Sequence, residues 1–192
     1  MTRVTLYCLL ICLLVWRPAL ALEVAGVELP DQVQIAGVDR PLLLNGAGVR
    51  KKFFISVYVG ALYLPQRQVG VGDLLEVPTA NRVAMHFVHS EVAKHKMDDA
   101  WRSGFAGNLA RGELDLLEPR LEAFTEMFRD LRRGDTVWLD FVPGGATTVS
   151  INGVRQGEVT GDDFNRALLS VWLGDEPVTA ALKKALVGVD KH

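Results

Sequence analysis

The stretch "TVWLDFVPGGATTVSINGVRQGEV", Thr136 to Val159, constrains the fold more than any other part of the chain. Pro143-Gly144-Gly145 and Asn152-Gly153 divide it into three β-prone runs. Asn-Gly between such runs is a strong hairpin signal, because both residues tolerate the positive φ of a two-residue hairpin turn. Consecutive hairpins produce antiparallel neighbours, whereas parallel neighbours need long crossovers. These residues therefore predict three adjacent strands of an antiparallel sheet.

Other segments add to that sheet. "LEVAGVEL" and "VQIAGV", separated by Pro30-Asp31, predict two strands with a turn between them. A long strand is expected from about Lys52 to Leu64, ended by Pro65, and another over Arg82 to His89, where apolar and polar residues alternate. In "LNGAGVRKKFFISVYVGALYL", residues 44–64, Gly46 and Gly48 permit backbone geometry that other residues resist. They predict a tight turn that delivers Arg50 to the mouth of the sheet.

After Ser90 the apolar period changes to four. Ala93, Met97, Trp101, Phe105 and Leu109 fall on one helical stripe, with Ser90 placed to cap it. Gly104 and Gly107 in that helix each cost about 1 kcal/mol relative to alanine. Either the helix breaks there or something packs closely against it. A second helix is expected with Leu121, Phe124, Phe128 and Leu131 on one face, Pro119 near its start and Arg132-Arg133-Gly134 at its end. Thr160-x-x-Asp163 reads as a capping box for a helix carrying Phe164, Ala167, Leu168, Val171 and Trp172 and stopping at Gly174. A last helix begins near Pro177 and ends before Gly188. The class implied is α+β, an antiparallel sheet covered by helices on one side.

The first residues read differently. Arg3, an apolar run from Val4 to Trp16 and the small-residue triplet Ala19-Leu20-Ala21 have the order of a secretory signal, with cleavage after Ala21. The run is shorter than the roughly 20 residues that span a bilayer. The expected mature chain, residues 22–192, is a single domain without a stable membrane span, and its location is periplasmic or secreted. Cleavage removes both cysteines, Cys8 and Cys12, together with Arg3 and Arg17, so 19 basic residues face 23 acidic ones. No disulfide or cysteine nucleophile remains, and a core of sufficient size must hold the fold. Mild acidity without a basic block argues against a nucleic-acid partner.

Few chemistries fit. His86 and His89, three apart on a predicted strand, point to opposite faces, so no metal site is predicted. Gly46-Ala47-Gly48 lacks the third glycine and following helix of a dinucleotide site, and no cofactor is predicted. Ser56, Ser90, Ser103, Ser150 and Ser170 lack the context of an activated nucleophile. Trp101 and Phe105 are read as core packing or as the lining of a ligand cavity. Arg50 presents a planar, permanently charged fork suited to a carboxylate, and Tyr58 could add a phenolic donor. An ordinary surface arginine at a strand edge is the competing reading.

The segments "LNGAGVRKKFFISVYVGALYLP" and "SINGVRQGEVTGDDFNRALLSVWLGDEPVTAALKKALVG" together resemble the chalcone isomerase-like family, in particular its small exported bacterial branch. The similarity runs from about Val24 to Gly188. It implies an open-faced β-sandwich, a curved antiparallel sheet with helices on one face and a ligand cleft between them. In plant enzymes of the family the arginine of Gly-x-Gly-Val-Arg polarises a substrate whose phenolate adds to an enone. Relatives without that activity bind fatty acids, and the same arginine and a tyrosine on the next strand hold the carboxylate. Arg50 matches the arginine and Tyr58 the tyrosine. The loop after Arg50 is shorter than in the plant isomerases, and their remaining tyrosine, asparagine and C-terminal polar residue are not placed by these motifs. The resemblance therefore favours a non-catalytic binder of a small amphipathic anion, with Arg50, Tyr58, Trp101 and Phe105 at the ligand. The alternative is an intramolecular lyase acting on an enone through Arg50. A third reading is an interaction module with a vestigial cleft, docking on a membrane-linked partner through the "QRQVGVGDLLEVP" loop.

Overall fold

The computed structural model describes residues 21–188; the leader-like residues 1–20 lie outside them. A seven-stranded antiparallel sheet forms the centre, with strand order β11-β10-β9-β6-β5-β4-β3. Its strands are β3 (Gln32–Val33), β4 (Leu42–Lys52), β5 (Ile55–Leu64), β6 (Asn81–Phe87), β9 (Thr136–Phe141), β10 (Ala146–Ile151) and β11 (Val154–Thr160). A hairpin of β1 (Ala21–Val24) and β2 (Val27–Pro30) lies beside it, and β7 (Glu91–Val92) pairs with β8 (Leu131–Arg132). Four helices occur among the described residues: α1 (Lys94–Asn108), α2 (Arg111–Thr125), α3 (Asp162–Leu173) and α4 (Ala180–Leu186). The predicted β9-β10-β11 meander is present, and Asn152 and Gly153 both have positive φ, as the turn requires.

Alternation along β5 assigns the two faces. Tyr58, Leu62 and Leu64 join the core formed with all four helices. Val59, Ala61 and Tyr63 join a second core with Leu29, Ile35, Leu42 and Leu44, to which Val24 and Val27 of the β1-β2 hairpin contribute. The helices cover one face, as predicted, and the N-terminal segment covers part of the other. No helix among the described residues is long and apolar enough to cross a membrane.

Several local expectations change. "LEVAGVEL" is a hairpin rather than one strand, because Ala25 (φ 50) and Gly26 (φ 78) turn the chain. Of "VQIAGV" only Val33 is strand, as the second residue of β3. β6, the strand expected to run to His89, ends at Phe87. Ser90 does not cap α1; the helix starts at Lys94, whose backbone N–H donates to Asp130 Oδ1 at 2.8 Å. The helix continues through Gly104, where a Cβ would lie 2.9 Å from Val171 Cγ1, so close packing is what the glycine serves. Pro119 lies inside α2, and Phe128 and Leu131 lie beyond its end, Leu131 in β8. Thr160 forms no capping box: Gly161 is the N-cap of α3, and Asp163 pairs with Arg120 instead.

The largest correction concerns Gly46 and Gly48. Both lie within β4, which the turn reading had missed, and neither has positive φ. The chain turns at Phe53-Phe54 instead, so the next strand begins at Ile55 rather than Lys52. Gly46, Gly48 and Arg50 occupy alternate positions of β4, paired with Leu62, Gly60 and Tyr58 of β5. A Cβ on Gly46 would meet the Ala185 carbonyl oxygen at 2.2 Å, and one on Gly48 would meet Ala185 Cβ at 2.6 Å. The two glycines are the seat on which α4 rests. Arg50 is the next residue in that row, the first with a side chain to extend past the helix.

Candidate ligand cavity

Beyond the seat of α4 the sheet and helices separate, leaving an open cavity of about 1060 Å³. Val57, Tyr58 and Met85 come from the sheet, and Met97, Trp101 and Gly104 come from α1. Val171 and Val178 line it from α3 and the segment after it. Arg50, Lys52, His89, Glu91, His95, Lys96, Asp99 and Glu176 supply its charged and titratable lining beside Tyr58. Apolar walls with a few polar groups are the usual make-up of a small-molecule site.

A β-bulge shapes the floor. Arg50 pairs with Tyr58 but Lys51 pairs with Ser56, so Val57 is the extra residue on β5. Strict alternation would point Val57 away from Tyr58. The bulge turns both toward the helices, and the Val57 carbonyl accepts from the N–H groups of Val88 and His89 at 3.0 and 3.1 Å.

Tyr58 is buried at 4% exposure, and its hydroxyl accepts a hydrogen bond from Trp172 Nε1 at 2.9 Å. That bond leaves the phenolic proton free to donate. Burial pushes the pKa up to about 12, against the smaller opposing effects of the Arg50 charge and the Trp172 bond. Tyr58 is consequently a neutral donor at any physiological pH. Arg50 is half-buried, with Cζ 5.9 Å from the centre of the Tyr58 ring, within the range of a cation–π contact. It makes no ion pair among the described residues. Trp101 stacks edge-on against Trp172 at 5.6 Å, and its Nε1 is buried without a hydrogen-bond partner.

The structure thus brings Arg50, Tyr58 and Trp101 to one cavity. Phe105, one turn further along α1, is fully buried against Phe164 and is not among the lining residues. His86 pairs with Val59 and faces the second core, while His89 lines the cavity, so the two histidines lie on opposite sides of the sheet. The "QRQVGVGDLLEVP" segment, which includes a short 3-10 turn at Gly72–Leu75, does not reach the cavity. Sequence reasoning passed over Trp172 as a site residue. Its helical spacing marks it as core, and only the packing of α3 against β5 shows that it holds the Tyr58 hydroxyl.

The model of the family described as chalcone isomerase-like matches residues 21–188. The chain belongs to the chalcone isomerase-like family. Among curated proteins, Fatty-acid-binding protein 1 of Arabidopsis thaliana is 24% identical over 181 aligned residues, which cover 79% of this chain and 63% of that protein. This chalcone isomerase-like chain therefore spans less than two thirds of the plant protein's length. Among solved structures, that of an Arabidopsis thaliana fatty-acid binding protein superposes with a TM-score of 0.65 at 18% identity. It covers 84% of this chain and 92% of the plant chain, which shows a shared fold. The open-faced sheet with helices on one side, expected from the sequence, is thus the chalcone isomerase-like architecture.

Proposed function

We propose that the chain binds a fatty acid or a similar amphipathic carboxylate without transforming it. The tail lies between the sheet and α1, against Met85, Met97 and Trp101, and the head group meets Arg50 and Tyr58. The observation that carries this reading is a cationic Arg50, unpaired among the described residues, beside a buried hydroxyl donor in a cavity with apolar walls. Charge-assisted bonds from an arginine fork and a phenol suit a carboxylate, and desolvation by the surrounding apolar wall strengthens them. The name of the plant relative, a fatty-acid-binding protein, supports the same ligand class.

With its pKa near 12, Tyr58 keeps its proton at neutral pH and is a poor general base. The reading includes export, supported by the leader-like order of residues 1–21, and places the binder in the periplasm. Fractionation of cells that make the full chain tests the location, and a protein retained in the cytosol would overturn it.

The decisive experiment is native mass spectrometry with solvent extraction on residues 22–192 and on the Arg50→Ala variant. One fatty acid per wild-type chain, lost in the variant, is expected. An empty cavity that also refuses added fatty acids would overturn the proposal, and turnover of an enone that depends on Arg50 would replace it with the lyase.

A further inference from the structure

The tip of the β4-β5 hairpin shows an arrangement that the folded core does not explain. Phe53 is 86% exposed, Phe54 100% and Ile55 51%. Three consecutive large apolar side chains in water are unlike the scattered single exposures normal for a protein surface. Immediately before them stand Arg50, Lys51 and Lys52, and no acidic residue occurs between Asn45 and Leu64. Phe53 has φ 55, a left-handed conformation that a bulky side chain resists and glycine would adopt freely. The turn therefore carries backbone strain while presenting two aromatic rings to solvent.

We propose that this hairpin docks the protein on an anionic lipid bilayer, with Phe53 and Phe54 in the interfacial layer and Lys51 and Lys52 against the lipid phosphates. Aromatic rings favour the membrane interface, and each basic residue near an anionic leaflet strengthens partitioning by about fivefold. Charge complementarity decides the partner. Exposed apolar residues alone would suit any hydrophobic surface, but three contiguous cations beside them select a negative one. The acidic lining residues Glu91, Asp99 and Glu176 stand on other parts of the chain, as does Lys96, and every charge on the hairpin is positive.

The position of the hairpin gives the docking a use. Lys52, Phe53 and Ile55 also line the cavity mouth. A hairpin seated in the interface would turn that mouth toward the bilayer, so that an amphipathic ligand could pass between lipid and cavity without crossing water. This use rests on the fatty-acid reading of the cavity, whereas the docking rests on the hairpin alone.

The test is flotation of residues 22–192, which contain both apolar cores, with vesicles of phosphatidylcholine containing about 30% phosphatidylglycerol or none. The fold of each protein is checked first by circular dichroism. The variants are Phe54→Ser and Lys51→Glu, since neither residue lines the cavity. The wild type is expected to float with anionic vesicles, and far less with neutral ones or at high salt. Each variant should bind about tenfold more weakly while its fatty-acid titration is unchanged. A wild type that stays with the soluble fraction would overturn the docking, as would variants that float equally well. A hairpin that drives self-association instead, seen by light scattering, would also overturn it. Flotation without fatty-acid uptake would sink the cavity reading alone, and uptake without flotation the docking alone.

Discussion

Two arginines stand on neighbouring strand pairs of one sheet, each opposite a tyrosine: Arg50 faces Tyr58 across β4-β5, and Arg82 faces Tyr63 across β5-β6. Their surroundings differ in one respect that decides their roles. Arg82 is 8% exposed and donates through Nε and Nη2 to both carboxylate oxygens of Asp140, at 2.5 and 2.6 Å, with Cζ 4.5 Å over the Trp138 ring. Its fork is satisfied from within the protein. Arg50 has the same kind of neighbour across the ladder and a ring beneath it, but no carboxylate among the described residues. Residue type and strand position do not separate a structural arginine from a binding one. The presence or absence of an internal anion does.

The largest effect should come from Arg82→Ala. It would strand Asp140, whose side chain is 18% exposed, and expose one face of Trp138. Removing one partner of a largely buried pair destabilises by about 3 kcal/mol or more. Urea denaturation should show this loss, and the folded fraction should bind fatty acid as the wild type does. A loss below about 1 kcal/mol would place this pair with ordinary surface bridges and weaken the contrast.

Arg50→Ala should invert the pattern. With no internal partner to strand, stability should change by less than about 1 kcal/mol. Fatty-acid affinity should fall by about 100-fold, the worth of a charge-assisted carboxylate contact. Equal losses of stability and affinity in the two variants would mean that both arginines are structural.

Which of these features the sequence carried depends on how local their causes are. The Asn152-Gly153 hairpin needs only its own two residues, and it was legible. The stripe on α1 found Trp101, because helical periodicity reports a face. It also selected Phe105, because periodicity does not report depth, and one turn further along the helix is solid core. Gly46 and Gly48 were misread because their requirement is remote: α4, which follows about 140 residues later, needs their missing side chains. The Phe53-Phe54 turn carries no turn chemistry, so it was absorbed into a strand. Arg50 was found by its fork and by resemblance, but that Arg82 closes on Asp140 depends on strand register, which pattern alone does not fix.

The tyrosines sharpen the comparison at alkaline pH. Burial raises both Tyr58 and Tyr63 to about 12, above the ordinary value of 10. A group whose folded pKa is raised contributes stability that is complete below the unfolded pKa and lost as pH rises through the folded one. Stability should therefore be level up to about pH 10 and fall between 10 and 12. Tyr58→Phe should make that fall shallower. It also leaves Trp172 Nε1 without its acceptor, for a loss of about 1 to 2 kcal/mol at neutral pH, and weakens carboxylate binding by about tenfold. Tyr63→Phe should flatten the alkaline fall to a similar degree but leave binding alone. A Tyr58→Phe protein with unaltered affinity would remove the phenol from the site and leave Arg50 to hold the ligand by itself.

The smallest effect should come from a charged cluster on neither core, and it sets the scale for the other two. Asp135, in the turn between β8 and β9, accepts from Arg129 Nη1, Asn152 Nδ2 and the Arg132 N–H at 2.9, 2.7 and 2.9 Å. The Arg129 bond, foremost, holds its pKa down at about 2 against the opposing effect of burial, with Asn152 and Arg132 adding to the lowering. Because the folded pKa lies below the ordinary 3.8, this stability is present above pH 4 and lost as pH falls through 2. Asp135→Asn should cost about 1 kcal/mol at pH 7, and acid unfolding between pH 4 and 2 should become less steep. Asn152 belongs to the Asn-Gly turn, so the same carboxylate ties β8 to the β10-β11 hairpin at a distance from the cavity. Fatty-acid affinity should be unchanged in this variant. If it falls as it does in Arg50→Ala, losses of binding report general loosening of the sheet, and the contrast between Arg50 and Arg82 no longer identifies the site.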